Sequence, residues 1–314
     1  MKAVKIINSE AVLAEVEPPN IGDLDLLVKV GFAGINAADL LQIAGHYRAP
    51  QGTPQDLLGL EYSGMVVGQG AKVPTQFNGK KVMGIASGAA QAEYIAIRFD
   101  QVIALPNDFD LLQAGAIPEA FITAYDAIFT QGNFAIGKRI LITGATGGVG
   151  SAAVTLAVTA GGIVFGTSRN DRAKQFVHDL GAHAIAPDQI SQYAPYDTVI
   201  ELIGGESFPT TLPSLASGGT IVTIGISGNP AIELDLRLLM QKRATIRGST
   251  LRSRDLAEKA EIAAQFSREI LPLFISGKIK PVVDSVYSAN EVRLAYHKFA
   301  NEPKTGKLLL RFSE

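Results

Sequence analysis

The sequence predicts an α/β protein in two parts: a doubly wound parallel sheet, and a β-rich unit around it. Three observations carry this. The stretch RILITGATGGVG at 139–150 places an apolar run, Ile140 to Ile142, before a glycine-dense turn and a helix-forming run from Val149 to Ala160. The next ~100 residues repeat that strand–helix alternation. The first 115 residues instead carry short strand-like runs punctuated by glycine, the density expected of a compact barrel with tight corners.

Taken in order, Val4, Ile6 and Leu26 to Val30 are strand-like, as are Tyr62 to Val67, Lys81 to Ile85 and Tyr94 to Ile97. A short helix is predicted from Asn36, where Asn36-Ala37-Ala38-Asp39-Leu40-Leu41 offers an N-cap followed by helix formers. Leu111 to Thr130 reads as helical, with Pro118 near a helix start, and marks the crossing into the second unit. There the strands are Ile140–Thr143, Ile163–Thr167, Ala184–Ala186, Asp197–Ile203, Thr220–Gly225 and Ala244–Arg247. Small or polar residues end them, including Thr143-Gly144, Thr167-Ser168 and Gly225-Ile226, at the sheet edge where such folds take ligands. The helix from Arg254 carries Leu256, Ala260, Ala263, Phe266 and Ile270 on one face. Two further strands, Lys280–Tyr287 and Lys307–Phe312, flank a helix over Ala289–Ala300 and return the chain to the first unit.

The glycine turn has a chemical reading. Set against G-x-G-x-x-G, its positions are Ala145, Gly147 and Gly150, with alanine in place of the first glycine. Gly147 lets backbone approach a pyrophosphate, Gly150 lets helix pack close, and the N–H groups around Thr146, Gly148 and Val149 face the phosphates. The second strand ends Gly166-Thr167-Ser168-Arg169, without the acid that bonds a ribose 2′-hydroxyl ~20 residues beyond such a turn. A hydroxyl at Ser168 beside the Arg169 guanidinium suits a 2′-phosphate, with Arg172 and Lys174 nearby, so NADPH is expected over NADH.

Composition narrows the remaining classes. In 314 residues, 47% are hydrophobic and 18% charged, and the net charge is −2. That balance gives no reason to expect nucleic acid or an anionic membrane as partner. No apolar run approaches the ~20 residues of a membrane span, and the N-terminus lacks the features of a signal peptide, so a cytoplasmic protein is expected. The absence of cysteine removes disulfides, thiolate chemistry and cysteine-ligated zinc.

Several segments together resemble the zinc-free, zeta-crystallin-like quinone oxidoreductases of the medium-chain dehydrogenase/reductase superfamily. They are GINAADLLQIAGHY at 34–47, GLEYSG at 59–64, IPEAFITAYDAIF at 117–129, GATGGVG at 144–150 and LRSR at 251–254. The resemblance implies a GroES-like β-barrel domain over 1–115 and 262–314. It implies a Rossmann NADPH-binding domain over 116–261, with cofactor in the cleft between. It further implies an NADPH:quinone oxidoreductase-like enzyme acting on a small-molecule quinone or enone, and a homodimer. An enoyl-thioester reductase and a weakly catalytic, crystallin-like nucleotide-binding protein are the alternatives.

Zinc-dependent relatives carry cysteine where Asn36 stands and histidine where Leu60 stands, and the four histidines here lie in no metal-ligand spacing. A metal-free mechanism is therefore expected. Tyr47 matches a family tyrosine facing the nicotinamide, and its phenol can donate to a substrate oxygen; the same loop position also suits a tyrosine capping the barrel. Asn36 can donate to the substrate carbonyl or serve only as an N-cap. Thr123 and Tyr125 match a segment that approaches the nicotinamide and its phosphate, or pack the helix. Arg252 and Arg254 can steer an anionic cofactor or simply be solvated. Glu61 reads as a structural carboxylate, and His46 as a solvated loop residue.

Overall fold

The computed structural model describes residues 1–74 and 77–313. The chain divides into two compact units, Met1–Glu119 with Leu251–Glu314, and Ala120–Thr250.

The first unit starts with a hairpin, β1 (Lys2–Ile7) and β2 (Glu10–Glu15), and continues with β3 (Asp25–Ile35), β4 (Glu61–Gln69), β5 (Lys81–Ile85), β6 (Tyr94–Arg98) and β7 (Ile103–Ala104). β3 is the hub, pairing antiparallel with β4 and with β6. Alternate residues of these strands, Leu26, Val28, Val30, Tyr62, Val66, Val82 and Ile95, point inward and form one core cluster.

In the second unit, β8 (Arg139–Ile142), β9 (Ile163–Thr167), β10 (His183–Ile185), β11 (Tyr196–Glu201), β12 (Leu215–Thr223) and β13 (Thr245–Gly248) form a sheet of order β10-β9-β8-β11-β12-β13. Every pairing is parallel. The order reverses at β8, so the crevice outside the carboxyl ends of β8 and β11 is the topological switch point. Leu141, Phe165, Tyr196, Val199, Phe208 and Ile221 fill one of its cores.

The chain then rejoins the first unit with β14 (Val283–Ser288) and β15 (Lys307–Arg311). β15 pairs antiparallel with β3 and parallel with β14. Val4, Ile35 and Leu58 from the first third pack with Val292, Tyr296, Leu308 and Leu310 from the last.

Two expectations need adjustment. The helix Leu256–Glu269 belongs to the first unit, because it packs on β7 and on the Phe99–Gln101 turn, so the parallel-sheet unit ends at Thr250 and not at 261. The segment expected to run helical from Leu111 to Thr130 is broken after Gly115. It resumes as Pro118–Ile122 and Asp126–Gln131 in π-helical turns around a short α-turn, Thr123–Tyr125. Such turns leave the regular hydrogen-bond ladder incomplete and recur at functional sites.

Candidate functional site

In the parallel-sheet unit the site is built from the turn after β8. Gly144 has φ +63°, a left-handed conformation that glycine adopts without strain. Its N–H donates to Thr167 Oγ1 at 3.0 Å, tying the turn to the end of β9. The helix Gly148–Thr159 follows with Gly147 at its N-cap, and no side chain caps its first N–H groups. A Cβ on Gly147 would meet nothing nearer than 3.8 Å, so that face of the turn is open to a ligand. Gly150 differs. A Cβ there would collide with the Gly144 carbonyl and stand 2.9 Å from Ala145 Cα, so the residue lets the helix lie against its own turn.

The alanine in place of the first glycine is accommodated from the neighbouring strand. Ala145 is fully buried, and a Cβ on Gly166 of β9 would lie 2.8 Å from the Ala145 methyl. The side chain gained at 145 is matched by one absent at 166.

At the end of β9, Ser168 is buried and its Oγ has no hydrogen-bond partner among the described residues. Arg169 beside it is exposed. Lys174 pairs with Asp171 at 3.6 Å, and Asn170 caps the following helix by accepting from the Ala173 N–H at 2.9 Å. No acid stands at 168–170. Across the switch point, Glu201 ends β11 fully buried. Its Oε1 accepts from Thr143 Oγ1 at 2.8 Å, from the Ile203 N–H at 2.8 Å and from the Gly204 N–H at 3.0 Å. It thereby fixes the loop beside the glycine turn, against which Gly225 also packs. Thr123 Oγ1 is another buried hydroxyl without a partner among the described residues.

In the β-rich unit, the polar centre is a buried cluster around Asn36. The Asn36 side chain does not cap the helix Ala37–Ile43. Asp39 does the capping, accepting from the Asn36 N–H at 2.8 Å and from the Gly59 N–H at 3.2 Å. The Asn36 amide turns inward instead. Its Nδ2 donates to Glu61 Oε1 at 2.9 Å, and its Oδ1 accepts from Lys307 Nζ at 2.6 Å. Lys307 has only donors and ionised Glu61 only acceptors, so these neighbours settle which way the amide faces. The one amide hydrogen not used in these bonds is on nitrogen, so the group keeps a donor in reserve.

Glu61 and Lys307 form a buried ion pair, and Glu61 Oε2 accepts from the Glu119 N–H at 2.9 Å. Gly34 makes room for this carboxylate, since any Cβ there would overlap it. Burial pushes the Asp39 carboxyl up to about 6, against the opposing pull of its two N–H donors. Burial, then the charge of Glu61, pushes Glu119 up to about 8, so it carries a proton at neutral pH. Gln91 bridges Asp39 and the Gly34 carbonyl and accepts from the Tyr296 hydroxyl at 2.8 Å.

Tyr47 is half-buried, in the loop that leaves the helix Ala37–Ile43 through Gly45, with φ +78°. Its carbonyl accepts from Arg252 Nη1 at 3.1 Å, and the guanidinium lies 5.1 Å over its ring. His46 is exposed.

Asn36, Glu61, Tyr47 and Arg252 thus belong to one unit, and Ala145 through Gly150, Ser168, Arg169, Thr123 and Gly225 to the other. Sequence reasoning missed Asp39, Glu119, Lys307 and Glu201. Glu201 alone left a signal, an acid inside the strand-like run Asp197–Ile203. Among the described residues no group of three His, Cys, Asp or Glu is placed to hold a metal. No helix of the described residues is long and apolar enough to cross a membrane.

Two family profiles match the chain: an alcohol dehydrogenase GroES-like domain over residues 22–107, and a zinc-binding dehydrogenase domain over 148–267. A quinone oxidoreductase-like protein 2 of Bos taurus is 27% identical over 310 residues, covering 95% of this chain and 88% of that protein. The quinone oxidoreductase of Homo sapiens is 28% identical over 311 residues, covering 95% and 92%. Among solved structures, a Pseudomonas syringae pv. tomato quinone oxidoreductase superposes with a TM-score of 0.88 at 23% identity, covering 99% of both chains, a likeness of fold.

Proposed function

Because the chain belongs to the medium-chain dehydrogenase/reductase superfamily, we propose that it is an NADPH-dependent reductase of quinones or related conjugated carbonyls, working without metal. The observation that carries the reading is the end of β9. There a buried, unpartnered Ser168 hydroxyl stands beside an exposed Arg169, with no acid to bond a ribose 2′-hydroxyl. The site fits a dinucleotide: an open face at Gly147, uncapped helix N–H groups for the pyrophosphate, and a hydroxyl and guanidinium for a 2′-phosphate. When bound, a reduced nicotinamide supplies two electrons and a proton as hydride.

The chain's own contribution is positioning and charge stabilisation. Negative charge grows on the carbonyl oxygen of a quinone or enone as it is reduced, and preorganised donors lower that barrier. The Asn36 amide is one such donor, held by Lys307 and Glu61 so that it cannot turn its oxygen outward. The Tyr47 hydroxyl is the other, and for an enone it also delivers the proton that completes reduction. Glu61 and Lys307 stand behind Asn36 and do not touch substrate in this scheme.

The test is steady-state oxidation of NADPH and NADH with a quinone, an enone, an enoyl thioester, and no acceptor. The quinone and enone should be turned over with NADPH preferred. Tyr47→Phe should lower kcat on the enone at least tenfold with NADPH affinity kept. If Tyr47→Phe and Asn36→Ala both run at the parent rate on every accepted substrate, the pocket assignment is wrong. Turnover of the enoyl thioester alone would move the substrate class.

A further inference from the structure

Arg252 is 6% exposed, yet among the described residues no ion pair links it to a carboxylate. A buried guanidinium without an anionic partner is costly, so its place needs a reason. Its fork joins three separate pieces of the β-rich unit. Nε donates to the Ser87 carbonyl at 2.7 Å, Nη2 to Gln42 Oε1 at 2.7 Å, and Nη1 to the Tyr47 carbonyl at 3.1 Å. Gln42 is itself fixed, because its amide nitrogen donates to the Gln55 and Leu57 carbonyls. Lys259, 5% exposed and likewise without an ion pair among the described residues, donates to Ser87 Oγ at 2.7 Å and steadies the same loop. Two buried cations therefore converge on Ser87, and one of them, Arg252, also reaches Gln42 and Tyr47.

Tyr47 is held twice by one residue. The Arg252 hydrogen bond fixes its main chain, and the guanidinium over its ring fixes the ring plane. No strand or helix contains Tyr47, and the preceding Gly45 permits the loop other conformations. We propose that Arg252 is the positioning residue of Tyr47, clamping its loop and ring so that the hydroxyl meets the substrate oxygen. This rests on the reductase reading above. Arginine suits the task because its planar fork bonds three acceptors while stacking on a ring, which lysine cannot do.

The experiment is a double-mutant cycle on the full chain with an enone and NADPH. Arg252→Met should lower kcat about tenfold with NADPH affinity unchanged, since misplacing a reacting group by about 1 Å already costs that much or more. In a Tyr47→Phe background the same change should cost less than twofold. Arg252→Lys should recover part of the loss. A second measurement needs no turnover: the ring resonances of Tyr47, assigned among the eight tyrosines by Tyr47→Phe, should shift in Arg252→Met. Equal losses in both backgrounds, or an unmoved Tyr47 resonance, would overturn the proposal. So would a tenfold loss of NADPH affinity at unchanged kcat, which would make Arg252 a cofactor ligand instead. If the parent protein reduces no carbonyl, the reductase reading falls, and the resonance alone decides the clamp.

Discussion

Replacing Lys307 by methionine tests the buried charge cluster most directly. Lys307 lies on β15 with its side chain 4% exposed, and Glu61 opposite is fully buried. The three ammonium protons are matched by three acceptors: Glu61 Oε1, Asn36 Oδ1 and the Ile35 carbonyl at 3.3 Å. Methionine preserves the stem and its packing while removing the charge. Among the described residues Glu61 then keeps only the Asn36 amide and the Glu119 N–H as donors, with Asp39 and Glu119 adding their carboxyls to the same pocket. Removing one partner of a buried pair typically costs about 3–5 kcal/mol. At roughly 2–4 °C per kcal/mol for a chain of this order, the melting temperature should fall by about 10 °C. Glu61→Gln on top of Lys307→Met should recover most of that, because no unpaired charge remains. Urea unfolding of the parent, both single variants and the double variant gives the coupling directly. A Lys307→Met cost below about 1 kcal/mol, or two losses that simply add, would mean that Lys307 does not neutralise Glu61 as described.

Three more outcomes follow. Gly150→Ala should weaken dinucleotide binding at least tenfold and lower stability, because its methyl meets the Gly144 carbonyl; calorimetric titration at unchanged affinity would refute the close approach. Arg169→Ala should lose affinity for NADPH about tenfold while NADH binding barely changes, and equal losses for both would remove the 2′-phosphate assignment. Glu119 carries its proton up to about pH 8 when folded but releases it near 4.5 in the unfolded chain, so the native state binds the extra proton and stability falls as pH rises between these values. Asp39 acts the same way only up to about pH 6, so the decline in melting temperature between pH 6 and 8 should flatten in Glu119→Gln; an undiminished slope would acquit Glu119.

The parallel-sheet unit was legible because its signals are local. An apolar run, a glycine turn and a helix former sit within the twelve residues 139–150, and the alternation that follows gives six strands of a doubly wound parallel sheet, whose spatial order only the structure supplies. What escaped was decided by distant partners. Ala145 reads as a defect in the glycine pattern until Gly166, on the adjoining strand, is seen to make room for it. Asn36 stands where an N-cap belongs, and its position was right. Its side chain, however, is taken by Glu61 and by a lysine 271 residues away, leaving Asp39 to cap the helix. Lys307 opens the strand Lys307–Arg311, where an end charge ordinarily faces water; here it faces inward, because Glu61 waits there. The boundary at 250 in place of 261 has the same origin, since nothing within the helix Leu256–Glu269 says which unit its apolar face will cover.

The separation between Lys307 and the residues it serves also bears on the order in which the protein can assemble. A chain made from its N-terminus presents Glu61, Asp39 and the β3 hub early, while their cation and the partner strand β15 emerge only after the whole parallel-sheet unit. That unit is contiguous, spans Ala120–Thr250, and can close on itself as soon as it is complete. The β-rich unit must hold an open β3 edge and an uncompensated acidic pocket until the last strand docks. Its final step is therefore a long-range closure that joins a strand pairing and a charge neutralisation in one event. Shortening the chain by its last strand would leave a buried anion without a cation, and an exposed edge ready to pair with another molecule.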